Sequence, residues 1–442
     1  MANTAPVLEQ TINATQAEKA INRKKLKNGR ERLSEHNLNP LQKSLEDFIS
    51  THVPPSLLSK HATSLEEFCS SLPKRYTIYE PMLLLPLNVF THPPAWGSLY
   101  ESLGNEQRKT LYASIANAFS RFGVTHIAMN APIVLTDSTG LENRMRSPTA
   151  LVPLHGDFGC IVPASGENGG SQPSETDFRE AFWVCTVQNQ GIVQVWAPLY
   201  TMFSRGNITE KARILGTGTA PRFEGLDGCT LGGETVEDVA VVDMYAGIGY
   251  FVFSYLRRGV KRVWGWEING WSVEGLRRGC LENGWGCRVI RVRGEGRLSM
   301  SVDELVKGLQ VTDRVVIFHG DNGLAAGVME EVRAVMERMK AWTSIRHINL
   351  GLLPSSRDSW KSACSILDKE MGGWAHVHEN VDVHGIEAKK TEITVTMGKL
   401  WAGAVECRHV EQVKTYAPGV MHCVFDVKLS AHHEISSSNT TS

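Results

Sequence analysis

The sequence predicts an α/β protein: a doubly wound, mostly parallel sheet preceded by a smaller α+β region. Three observations carry this. From about Val236 onward, short apolar runs alternate with helix-length segments, the pattern of parallel strands joined by crossover helices. The first of those runs ends in a glycine turn, Asp243-Met244-Tyr245-Ala246-Gly247-Ile248-Gly249-Tyr250-Phe251, at the edge where open α/β sheets bind ligands. The next run ends on an acid, Glu267, 24 residues after Asp243.

Taken in order, residues 1–75 are polar and read as a partly flexible leader with a basic run, Lys19, Arg23, Lys24, Lys25, Lys27, Arg30 and Arg32. Residues 76–232 read as an N-terminal and middle α+β domain. Tyr79–Pro86 is a packed turn or short strand, 111–122 a helix, 124–129 a strand, and 182–187 and 192–196 two further strands. The stretch 161–178 is rich in Gly, Ser, Pro and Glu with little to bury, and is expected to be a mobile loop. Gly225 to Gly233 holds four glycines and suits a linker. Residues 233–430 form the doubly wound domain. Its strands are expected at 239–242, 262–267, 288–292, 314–318 and 345–350, with late ones near 374–378, 391–396 and 421–428. Its helices are expected up to Arg258 and over 270–283, 325–341 and 356–370. Residues 431–442 are a polar tail, expected to be disordered.

Composition excludes several classes. The chain has 442 residues, 42% hydrophobic and 21% charged, with 46 Lys+Arg against 47 Asp+Glu, so it is neither disordered nor fibrous. No uncharged apolar stretch approaches the roughly 18 residues of a spanning helix, and no secretory signal is visible; no membrane partner is expected. Nine scattered cysteines without a Cys-x-x-Cys pair fit reduced thiols in a cytoplasmic protein and give no zinc site. His376 and His378 alternate on one strand face without a third ligand nearby, and are expected to be a surface pair. The near-neutral balance hides a basic segment: residues 251–300 hold ten Lys/Arg against four Asp/Glu. Such a cluster suits either RNA phosphates or a solvated face.

The glycine turn discriminates between cofactors. A pyrophosphate prefers G-x-G-x-x-G, but the third place is Val252, and an acid, Asp243, closes the strand. S-adenosylmethionine has an ammonium and a sulfonium instead of phosphates, and these favour carboxylates and backbone carbonyls. Asp243, Ala246, Gly247 and Gly249 are therefore candidate contacts to that cofactor, with Glu267 accepting from the ribose diol. His319-Gly320-Asp321-Asn322 follows a later strand, where Asp321 and Asn322 face the adenine or form an Asx turn. Asn349-Leu350-Gly351-Leu352-Leu353-Pro354 follows the next. Base methyltransferases carry Asn-Pro-Pro-aromatic there; this chain keeps the Asn and lacks the rest, which argues against ordinary methyl transfer.

These elements, with Met202-Phe203-Ser204-Arg205-Gly206-Asn207-Ile208-Thr209-Glu210-Lys211 and Tyr416-Ala417-Pro418-Gly419-Val420, resemble the tRNA wybutosine-synthesizing protein 2 family over roughly residues 180–430. The resemblance implies a class I S-adenosylmethionine-dependent, methyltransferase-like Rossmann fold. It also implies a transferase that moves the 3-amino-3-carboxypropyl group of S-adenosylmethionine to carbon 7 of 4-demethylwyosine in tRNA(Phe), releasing methylthioadenosine. Ser204 and Lys211 are then expected on the donor's amino-acid arm, and Glu267, Asp321 and Asn322 on its nucleoside. Arg205, Asn207, Lys414 and Tyr416 are expected near tRNA. Asn349 and Pro354 are candidates for positioning the base, and no catalytic acid or base is assigned. The alternatives are a tRNA (guanine-N1) methyltransferase and a non-enzymatic RNA-binding module.

Overall fold

The computed structural model describes residues 38–60, 65–130, 151–159, 172–201, 203, 207–217, 223–227, 230–231 and 233–431. The basic run of the leader, residues 161–171 of the expected loop, the tail from 432, and the candidates Ser204 and Arg205 lie outside the described residues.

The chain divides into two compact units. The first spans residues up to 75 and 88–119 and is helical: α1 (Pro40–His52), α2 (Pro55–Leu58), α3 (Leu65–Ser71), α4 (Pro94–Ser102) and α5 (Asn105–Ala118). Asn39 and Gln42 form a capping box at the start of α1, with Pro40 as its first residue, the combination that satisfies the free N–H groups of a first turn. Leu41, Leu45 and Phe48 of α1, and Leu111 and Ile115 of α5, are buried.

The second unit holds the rest. A four-stranded sheet runs in the order β1 (Thr77–Tyr79), β2 (Met82–Leu85), β3 (His126–Met129), β4 (Val152–His155). After α6 (Glu175–Glu180), β5 (Val184–Val187) and β6 (Val193–Trp196) make an antiparallel hairpin, and α7 (Ile208–Leu215) follows.

The main sheet has eight strands: β7 (Ala240–Asp243), β8 (Arg262–Glu267), β9 (Gly286–Arg291), β10 (Asp313–His319), β11 (Ile345–Leu350), β12 (Gly373–Asp382), β13 (Val405–Ala417) and β14 (Val420–Leu429). Their order is β13-β14-β12-β11-β7-β8-β10-β9. All neighbours are parallel except β14, which is antiparallel to both β12 and β13. The intervening helices are α8 (Val252–Arg258), α9 (Gly270–Glu282), α10 (Val302–Gly308), α11 (Ala325–Arg338), α12 (Trp360–Ile366) and α13 (Ile386–Gly398).

Consecutive strand residues feed opposite faces. Val242, Trp264, Val316 and Ile348 join the core under α10 to α13. Val241, Val263, Val315 and Ile317 join the core under α7, α8 and α9. Strand order reverses between β7 and β11, so the switch point that favours ligand binding lies between the ends of those two strands.

Two expectations need correction. The strand expected at 391–396 is the middle of helix α13. Its β-branched run suggested a strand, but Ile393 and Met397 are four apart and both fully buried, which is helical spacing. Thr391 and Thr394 donate to the carbonyls of Glu387 and Lys390, absorbing their hydroxyls inside the helix. The long strand β13 also lies where no strand was expected.

Candidate functional site

Asp243 ends β7 and is fully buried. Its Oδ1 accepts from the Tyr245 N–H (3.1 Å) and from Asn349 Nδ2 (3.1 Å), whereas Oδ2 is buried with no protein partner. Burial pushes this carboxyl up to about 7, against the two bonds that favour its charge. Asn349, the next-to-last residue of β11, stands directly opposite Asp243 in the register. The two side chains therefore bridge the switch point, and the Asn349 amide is committed to Asp243.

The chain then turns on Gly247 and Gly249, with φ of +54° and +89°, backbone that a side chain would strain. A Cβ on Gly249 would meet the Phe253 ring at 2.6 Å. Ala246 fixes the turn to the next strand by donating to the Trp266 carbonyl (2.9 Å). Glu267 ends β8 and fastens the same turn: its Oε2 accepts from the Gly247 N–H and its Oε1 from the Asn269 N–H, both at 2.8 Å. Each oxygen keeps a further lone-pair direction. Burial raises this carboxyl too, opposed by the backbone bonds.

At the end of β10, Asp321 accepts from Gly323 N–H (2.8 Å), an Asx turn. Asn322 reaches back over the site, its Nδ2 donating to the Met244 carbonyl (2.7 Å). Tyr245 hydrogen-bonds Ser359. The sequence reading did not single out Tyr245; its place inside the glycine turn was the available signal. After β11, Ser355 Oγ and Ser356 N–H both donate to Glu379 Oε1 (2.8 and 3.1 Å), which pins the loop beside the exposed Pro354.

Lys211 is not a surface charge. It is 6% exposed on α7, its Nζ donates to Gln194 Oε1 (3.0 Å), and it lies 5.5 Å from the centroid of the Tyr250 ring in the glycine turn. Burial lowers its pKa to about 8. Two residues on, Arg213 is wholly buried between Glu210 (2.7 Å) and Asp426. Asp426 also pairs with His376 (2.7 Å), His376 with His347 (3.0 Å), and His347 with the Gly225 carbonyl (2.6 Å). His376 and His378 are thus both buried, correcting the expected surface pair; His378 bonds His422 (3.0 Å) instead. A polar chain this deep is masked in sequence because its members come from α7, β11, β12 and β14.

The remaining candidates lie apart. Asn207 is half-buried at the start of α7 and its carbonyl accepts from the Lys211 N–H (3.0 Å). On β13, Lys414 is half-buried opposite His422, and Tyr416 is 49% exposed.

The basic segment is mostly spent inside the fold. Arg257, Arg258 and Arg262 donate to backbone carbonyls, Arg277 and Arg278 clamp Glu274, and Arg288 pairs with Asp313. Arg291, Arg293 and Arg297 stay exposed. Among the described residues no group of three His, Cys, Asp or Glu can hold a metal, and no helix is long and apolar enough to cross a membrane.

The arrangement brings one carboxylate oxygen without a protein partner, a second buried acid and a buried ammonium around a glycine turn, a donor set that suits a cationic amino-acid nucleoside.

No protein-family model matches the chain. It is similar to the tRNA wybutosine-synthesizing protein 2 of Schizosaccharomyces pombe, 40% identical over 367 residues, 83% of this chain and 75% of that protein. The protein of the same name in Saccharomyces cerevisiae is 29% identical over 435 residues, 89% of this chain and 82% of its own length. Among solved structures, P. horikoshii TYW2 in complex with MeSAdo shares the fold, with a TM-score of 0.50 at 18% identity, covering 88% of this chain and 99% of that one. The identity and its extent are those of a common family, and the chain belongs to the tRNA wybutosine-synthesizing protein 2 family.

Proposed function

We infer that the protein transfers the 3-amino-3-carboxypropyl group of S-adenosylmethionine to carbon 7 of 4-demethylwyosine in tRNA(Phe), and releases methylthioadenosine. The observation that carries this is the buried Asp243, with one unpaired oxygen at the sheet's switch point, in a chain 40% identical to a wybutosine-synthesizing relative.

The donor supplies a sulfonium, which activates all three attached carbons. Selecting one carbon is then a matter of which is presented to the nucleophile. Glu267 is held rigid by two N–H groups and takes the ribose diol. Asn322 and Asp321 border the adenine. The free Oδ2 of Asp243 takes the ammonium of the amino-acid arm, and Lys211, with Ser204, takes its carboxylate. These contacts turn the arm toward the base. The ring carbon bonds to the arm's terminal carbon as the carbon–sulfur bond breaks, its electron pair goes to sulfur, and the ring proton is lost afterwards.

The Asn349–Pro354 loop orients the base, which must leave its stack to reach the donor. Asn207, Arg205, Lys414 and Tyr416 contact the tRNA around it. The seven described cysteines are free thiols, in keeping with a cytoplasmic protein.

The test is to incubate the protein with S-adenosylmethionine and precursor tRNA(Phe) and identify both products. Methylthioadenosine with an aminocarboxypropylated nucleoside is expected. S-adenosylhomocysteine would instead mean methyl transfer, and no turnover would mean a binding module.

A further inference from the structure

Lys211 is held by a group outside the doubly wound sheet. Gln194, on strand β6 of the small hairpin, is 1% exposed, and its Oε1 accepts from Lys211 Nζ at 3.0 Å. The ammonium can only donate, so the oxygen of Gln194 must face it and the amide nitrogen must point elsewhere. That nitrogen is buried without a protein partner, and so is the hydroxyl of Ser254 on α8. Gln194, Lys211 and Ser254 border one small space of about 10 Å³ with Ile192, Leu215 and Tyr250, and its exposed wall is apolar.

We propose that Gln194 is a positioning residue for Lys211, its amide oxygen fixing the place of the buried ammonium. This rests on the reading of Lys211 as partner of the donor's carboxylate.

The choice of an amide has a physical reason. A carboxylate at position 194 would pair with Lys211 and cancel the charge that the donor needs. An apolar residue would leave the ammonium buried without an acceptor, free to take other rotamers. Glutamine accepts one bond, adds no charge and leaves the cation electrostatically available.

The experiment uses the full chain and three variants, Gln194→Leu, Gln194→Glu and Lys211→Met. Calorimetry gives the affinity for S-adenosylmethionine and for methylthioadenosine, which lacks the amino-acid arm. Steady-state kinetics with precursor tRNA gives KM and kcat. Both Gln194 variants are expected to raise the KM and Kd for S-adenosylmethionine about tenfold or more. Methylthioadenosine affinity should stay within about twofold in all of them, which a general loss of structure would not allow.

If Lys211→Met changes the ratio of the two affinities and neither Gln194 variant does, the positioning role is overturned and the carboxylate reading stands. If Lys211→Met leaves the ratio unchanged, the carboxylate reading itself fails. Equal loss of both ligands in Gln194→Leu would also overturn the proposal.

Discussion

Replacing Asp243 with Asn tests the centre of the site, because the amide keeps the shape and removes the charge. Burial moves this carboxyl from its ordinary 3.8 to about 7. Holding it ionised at neutral pH and above costs up to ~4 kcal/mol of stability. The sign follows from the raised value. The folded protein keeps the proton longer than the unfolded chain, so stability falls as pH rises from 3.8 through 7 and is level above. The Asn variant lacks that loss, and should be more stable than the parent by about 2–4 kcal/mol at pH 8 and by little near pH 4. Donor binding should move the opposite way. An ammonium bonded to a buried carboxylate is worth roughly 1.5–3 kcal/mol, so S-adenosylmethionine should bind the variant about 10- to 150-fold more weakly. In the parent that affinity should climb from about pH 5.5 to about pH 7.5 as Asp243 ionises, while methylthioadenosine affinity stays flat. Thermal melts and calorimetry across this range read both effects. A variant that binds S-adenosylmethionine as tightly as the parent at neutral pH, or a parent whose affinity ignores pH, would refute the reasoning.

Lys211→Met should stabilise the fold while impairing transfer. The ammonium lies at about 8 rather than 10.5 because it is buried, a penalty of ~3 kcal/mol at pH 7 that fades as pH rises from 8 to 10.5. Melting curves of parent and variant should therefore diverge at pH 7 and converge above about pH 10; no difference at pH 7 would count against the burial. Arg213→Met should destabilise by about 3–5 kcal/mol, since Glu210 and Asp426 would be left as buried, unneutralised acids. A denaturation midpoint shifted by the equivalent of less than about 1 kcal/mol would show the pair to be dispensable.

What was legible in sequence follows from range. The glycine turn, Asp243 and Glu267 lie within one strand–turn–helix–strand unit, so local pattern placed them. The parallel strands were legible because each is an apolar run between helices. Helix α13 was not: its threonines prefer strands when considered alone, and only burial of Ile393 and Met397 against the sheet decides otherwise. The sequence also counted arginines without their partners. Six of the ten basic residues in 251–300 close helix ends, clamp Glu274 or meet Asp313, contacts spanning up to 100 residues. Gln194 was invisible for the same reason, being 17 positions from Lys211 and on a separate hairpin.

The bond between Asn349 and Asp243 ties the buried acid at the switch point to the root of the loop that runs on to Pro354. A change of charge on the acid alters the strength of the bond that the Asn349 amide makes to it. On the proposed reading of the site, the donor's ammonium and the nucleobase would act on the two ends of this one side-chain contact.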